Sequence, residues 1–289
     1  LAGQWLVMGA WTVGMCFTWP ALEALVSEGE NERSLPRRIG IYNLTWAGGS
    51  GLAYFTGGAV LEHLGGRSLF LVPASLHLAQ IILLACLQRA ARQGAGPSPE
   101  ASPPGPLPAR RVHRDRARNF LLLAWLANPF AYVAINTIIA VIPALAKRHD
   151  LSPTWAGFFC SLWFFARMGA FAILWHWPGW HYRFRWFAIA FFLMPLSFVV
   201  ILLSPALWPV MVAQVVFGGA VGLIYYSSLF YSMDVGETKG EHGGIHEAAI
   251  GAGIFAGPGA GAVALASFPG HPAAGAGGGA GLLLAGGTA

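Results

Sequence analysis

The chain has 289 residues, of which 56% are hydrophobic and only 10% charged, and its 17 basic and 12 acidic side chains leave a net charge of +5. Soluble domains carry about a quarter charged residues, so this composition excludes a soluble globular domain and reads as an all-α polytopic membrane protein. The positive charge does not point to nucleic acid, because nearly half of the basic residues fall in one polar stretch flanked by hydrophobic segments.

A hydrocarbon core about 30 Å thick needs about 20 apolar residues of helix. That template predicts spans over 4–26, 40–61, 68–88, 119–146, 154–175, 184–203, 207–232, 245–268 and 270–288. The last is weak, since the chain beyond Phe268 is almost wholly Gly and Ala, and glycine favours helix poorly. The chain begins at Leu1, almost inside the first span and with no n-region before it, which reads as a fragment.

Between the third and fourth spans lies the one long polar stretch, 89–118. Its six prolines, from Pro97 to Pro108, deny it a continuous helix, and its few apolar residues do not offset the entropy of ordering it. It reads as a disordered linker, and its seven arginines (Arg89, Arg92, Arg110, Arg111, Arg114, Arg116 and Arg118) place it in the cytoplasm. The other loops alternate accordingly. Arg33, Arg37, Arg38, Arg183, Arg185 and Lys239 fall on the linker's side, against Arg67, Lys147 and Arg148 on the other. Cys16, Cys86 and Cys160 sit inside spans with no pairing or ligand spacing and read as small apolar residues.

The chain also repeats itself. A shift of 204 residues superposes Gly40, Ile41, Gly49 and Gly57 on Gly244, Ile245, Gly253 and Gly261. Each copy runs from a charged loop (ENERSLPRR, DVGETKGEH) into a glycine-striped span (GGSGLAYFTGG, GAGIFAGPGAG), as in a parallel repeat of six helices. Two bundles joined by a long basic loop, with glycine-rich helices at matching places, resemble the major facilitator superfamily of secondary transporters. The resemblance implies that the first span is that family's fourth helix and that the N-terminal bundle is incomplete. It gives a partial N-terminal bundle of three spans (1–88), the linker (89–118) and a C-terminal bundle of six spans (119–289). It also implies a plasma or inner membrane location. The family's diagnostic loop motif has its expected repeat copy near WHWPGWHYRFRW, which keeps basic Arg183 and Arg185 but not the aspartate.

Polar side chains are expensive in a bilayer, so their faces are informative. Asn128, Tyr132 and Asn136 recur every four residues on one helix face. Gln214, Gly218, Gly222 and Tyr226 do the same, with Tyr225 adjacent, as do Thr12, Cys16, Trp19 and Glu23. The resemblance places these three faces along the substrate pathway; the alternative is interhelical hydrogen bonding alone. Arg167 is the cation deepest inside a span, with Glu23 and Glu247 nearest in depth. A pair among them latches a gate or binds an anionic substrate, unless Arg167 snorkels to the interface. Gly57, Gly58, Gly257 and Pro258 are the hinge or packing candidates, glycine being the residue that lets helices approach closely in lipid.

No metal site, cofactor motif or phosphate loop is expected. His246-Glu247 begins an HExxH pattern, but Ile250 stands where the second histidine belongs, and His176 and His181 lack a third ligand. Glu237-Thr238-Lys239-Gly240 is similar to a sugar-porter motif but lies between two spans, so no sugar is inferred from it. The sequence therefore reads as a secondary transporter, not an enzyme. It would move a small-molecule substrate through the lipid bilayer by alternating access, with a coupling ion as a further partner. Two alternatives stand beside it: a nonfunctional transporter fragment, and an intramembrane serine hydrolase using Ser50 of the Gly48-Gly49-Ser50-Gly51 sequence with His242 or His246 as base.

Overall fold

The computed structural model describes residues 2–30, 34–94, 114–235 and 239–268, with 275, 277–279, 281 and 283. Eight α-helices account for nearly all of them: α1 (Ala2–Ser27), α2 (Leu35–Leu64), α3 (Ser68–Gly94), α4 (Arg114–Arg148), α5 (Pro153–His176), α6 (Phe184–Leu203), α7 (Leu207–Val235) and α8 (Lys239–Ser267). They follow the first eight expected spans in order. The ninth, 270–288, lies mostly outside the described residues; those described within it are helical.

Each helix start and stop has a local cause. The Ser152 hydroxyl accepts from the Trp155 N–H and Pro153 follows at the first helical position, so α5 begins there. Gly65 ends α2 with φ 75, a backbone that favours glycine, and its N–H donates to the Leu61 carbonyl. The expected linker is shorter than 89–118 at both ends. Helix α3 continues through Arg92 to Gly94, where a basic side chain suits the helix C-terminus. Helix α4 already begins at Arg114, and residues 95–113 lie outside the described set.

Seven of the eight helices are long and apolar enough to cross a membrane, α2 being the exception. Its Asn43, Thr45, Ser50 and Thr56 and its glycines lower its hydropathy, and the same small residues let it lie along α5. Gly40 faces the Trp175 ring, Gly51 faces Phe164 and Phe165, and Gly58 faces the Pro153 carbonyl. Helix α8 packs on α4 in the same way, Gly253 against the Pro129 carbonyl and Tyr132, and Gly257 against Val133. These buried faces (Gly40, Asn43, Ala47 and Gly243, His246, Ile250) superpose one residue away from the register of the sequence repeat. Helices α1 and α2 thus meet α8 and α5 across the linker division. Helix α3 shows apolar side chains outward along its length, which suits a lipid-facing helix.

The core of the second half is aromatic. Trp180, in a short 3-10 turn after α5, packs on Tyr226, Phe230 and Tyr231. His181 stacks on Phe230 with ring centroids 4.3 Å apart. Burial holds this imidazole below its ordinary range, at about 4, with Asp234 opposing the shift. The unfolded chain protonates near 6.5, so the neutral folded form contributes stability above that pH and loses it as pH falls toward 4. The melting temperature in detergent should therefore drop more between pH 7 and pH 4.5 for the native protein than for His181→Phe; equal drops would refute this origin.

Candidate functional site

Four helices converge on Arg167 of α5, which is 2% exposed. Its guanidinium carbon lies 4.7 Å from the Trp46 ring centre, 4.6 Å from that of Tyr225, 5.4 Å from that of Phe171 and 5.7 Å from that of Tyr132. An Nη also donates to the Tyr132 hydroxyl at 3.2 Å. Each part of this cage has a support. The Trp46 indole N–H donates to the Asn43 side-chain oxygen at 3.1 Å, fixing the ring over the cation. Gly222 of α7 leaves room where a Cβ would stand 3.5 Å from the Arg167 stem. A desolvated cation over aromatic faces is stabilised by about 2 kcal/mol or more per good contact, which explains how a charge is held here without snorkelling.

A second polar group lies beside the cage. His246 of α8 is fully buried, with Nδ1 2.8 Å from the Ser228 hydroxyl and 3.5 Å from the Asn128 amide. Its other nitrogen, Nε2, faces Glu23 Oε1 at 3.7 Å. Glu247 completes the group, and one ligand atom from each of Glu23, His246 and Glu247 lies within 4.8 Å of the others. The Tyr225 ring, 5.1 Å from that of His246, joins this group to the cage. All of these residues lie about one to five helical turns inside the linker-side end of their helices.

At the opposite end an apolar cleft of about 980 Å³ opens between the end of α2 and the α4–α5 turn. Tyr54, Gly58, Pro143, Lys147, Asp150 and Cys160 are among its lining residues. Among the described residues, an apolar cleft thus marks one end and a buried polar cluster lies toward the linker side.

The family model of the Major Facilitator Superfamily matches residues 2–258. The chain belongs to that superfamily. It is a multi-pass integral membrane transporter with a small-molecule substrate. No curated protein and no solved structure matches it.

The structure of this superfamily member sorts the residues that the sequence singled out. Glu23, Glu247, Asn128, Tyr132 and Tyr225 come together around Arg167 and His246. Arg167 pairs with neither Glu23 nor Glu247 within salt-bridge distance; the rings hold it instead. Trp19 is half-buried one turn before Glu23, while Thr12 and Cys16 of that stripe are exposed. Asn136 donates to the Tyr132 carbonyl of its own helix. The α7 stripe packs closely on α5 and the aromatic core. Gly218 abuts the Trp163 carbonyl and Ala166, Gly222 abuts Ala170, and Tyr226 packs on Phe171 and Trp180. Gln214, fully buried, lies fourteen residues from Ser228, about 20 Å along the helix, and does not reach the cluster.

Of the hinge candidates, Gly58 and Gly257 sit at close backbone approaches, whereas Gly57 faces open space and Pro258 is exposed. His242 stacks beside Trp125 and His246 is engaged by Ser228, so neither histidine is bonded to Ser50. Ser228, His246 and Glu23 do follow the order of a nucleophile, base and carboxylate. Ser228 is 0% exposed, however, and a nucleophile needs room for the carbonyl it attacks.

Sequence reading missed His246, Trp46, Asn43 and Ser228 as members of the site. His246 has no second histidine four residues along its own helix, and the group that faces it, Glu23, comes from α1.

Proposed function

We propose that the protein is a secondary active transporter that moves its solute by alternating access, the helices before the linker rocking against those after it. The single observation carrying this reading is the pairing of an open cleft at one end with a closed, charged cluster at the other, both built across the α2–α5 and α1–α8 contacts. A lone guanidinium, two carboxylates and several tyrosines within a bilayer are costly to keep for packing alone, and alternating access uses them as the midpath site and its gate. Tyr132, Asn128, Tyr225 and Glu23 line the solute's route; Trp19 and Asn136 flank it. An ion gradient drives the cycle. The units are the helices through α3 and those from α4 onward, joined by a cytoplasmic linker, in a plasma or inner membrane.

The test is side-specific thiol labelling in a variant free of Cys16, Cys86 and Cys160. Tyr54→Cys, in the cleft, should react with a membrane-impermeant reagent from the side opposite the linker only. Tyr132→Cys, between cleft and cluster, should react from both sides as the halves rock. A Tyr132→Cys protein that reacts from neither side would rule the cycle out.

A further inference from the structure

Glu23, His246 and Glu247 make a cluster of donor atoms where α1 meets α8. Glu23 is 2% exposed and His246 0%, yet the Glu23 carboxyl meets only Glu247 within the cluster, and His246 Nε2 has no hydrogen-bond partner. The 3.7 Å from Nε2 to Oε1 is too long for a hydrogen bond. Two carboxylates taken out of water side by side are unfavourable unless a shared proton or a cation joins them. Arg167 does not, because its charge is housed among four rings, and no Lys or Arg lies within salt-bridge distance of either carboxylate among the described residues.

We propose that Glu23, His246 and Glu247 bind one divalent transition-metal cation of the zinc type. The two carboxylates supply two negative charges to match it. One neutral imidazole with two carboxylates, and a fourth position left open, is a donor set that suits zinc and its first-row neighbours; an imidazole argues against magnesium or calcium, which take oxygen. In the tautomer protonated at Nδ1, the Ser228 oxygen accepts at 2.8 Å and Nε2 keeps its lone pair turned toward Glu23, the outer support usual for a metal-bound histidine. Ligand atoms about 2.0–2.2 Å from one ion stand at most about 4.4 Å apart. The present spread of 4.8 Å therefore closes with a small rotation of Glu247, the least buried of the three.

The ligands come from α1 and α8, on opposite sides of the linker division, so an ion bound here clips the two halves together at the closed end. The binding site stands on its own donor geometry and does not require that the chain transports anything.

The experiment is a cobalt titration of the full chain, purified in detergent, freed of any histidine tag and stripped with chelator. Cobalt reports its ligand field through visible absorption, and zinc should displace it at the same stoichiometry. The expected result is one saturable equivalent. Glu23→Gln, His246→Asn and Glu247→Gln should each weaken binding at least about tenfold while retaining native helicity and elution, and Ser228→Ala should weaken it by about tenfold through the lost outer support. Glu62→Gln, at the far end of α2, should bind as the native protein does. Absence of a saturable equivalent, or equal binding in all the cluster variants, overturns the proposal, as does a cluster that exchanges protons but no metal. A chain that binds one equivalent but fails the labelling test would remove the transport reading and leave the site.

Discussion

Arg167→Met should leave the protein folded but stop Tyr132→Cys from being labelled from both sides, whereas Arg167→Ala should also destabilise it. The two substitutions separate the cation's charge from its bulk. Alanine opens a void among Trp46, Phe171, Tyr132 and Tyr225, and truncating a large buried side chain costs about 2–5 kcal/mol. Methionine fills much of that volume. Replacing a buried charge by an apolar side chain of similar size is often near neutral, because the desolvation cost disappears with the favourable contacts. The melting temperature of Arg167→Met in detergent should thus stay close to native and that of Arg167→Ala should fall. What methionine lacks is the positive charge beside the acid cluster, which the Tyr132→Cys reporter leaves in place. A freely labelled Arg167→Met protein would make the cation a packing device only.

Gly58→Val should be far more damaging than Gly57→Val, although the two residues are neighbours on α2. A side chain at Gly58 runs into the Pro153 carbonyl and the Gly157 N–H of α5, which are backbone atoms and move only if the helices part. At Gly57 nothing lies within 4 Å. Overpacking a tight contact costs about 1–3 kcal/mol and sometimes more. Gly58→Val should therefore lose most of its yield or melt several degrees lower, while Gly57→Val stays near native. Gly218→Val and Gly219→Val should repeat the contrast at the α5–α7 seam, where only Gly218 abuts backbone. Similar melting temperatures for both members of a pair would mean that α2 and α5 do not approach as described.

These pairs also show what the sequence could and could not reveal. Span lengths sufficed for the number and order of the described helices, because hydrocarbon thickness imposes a length. Glycine spacing marked α2 and α8 as closely packed helices but not which glycine of each pair makes the contact, since helix rotation depends on the partner. The same ambiguity holds for the Gln214–Tyr226 face, because a small-residue seam and a polar stripe share one period. Arg167 stood out as an anomalous buried cation. Its aromatic cage did not, because Trp46, Tyr132 and Tyr225 come from three other helices and no local pattern links them. Glu23 and Glu247 match Arg167 in depth, yet they meet each other and His246 instead, and only the α1–α8 contact brings those three together.

Alternating access is most directly tested by two pulsed spin-label distances in lipid nanodiscs, again without the native cysteines. One label pair joins Leu64 and Lys147 across the cleft end, and the other joins Arg37 and Arg183 at the linker end. Each distribution should have two populations that trade in opposite directions when pH or ion composition is changed, the cleft end closing as the linker end opens. A single unchanging distance at both ends under every condition would contradict the rocking mechanism.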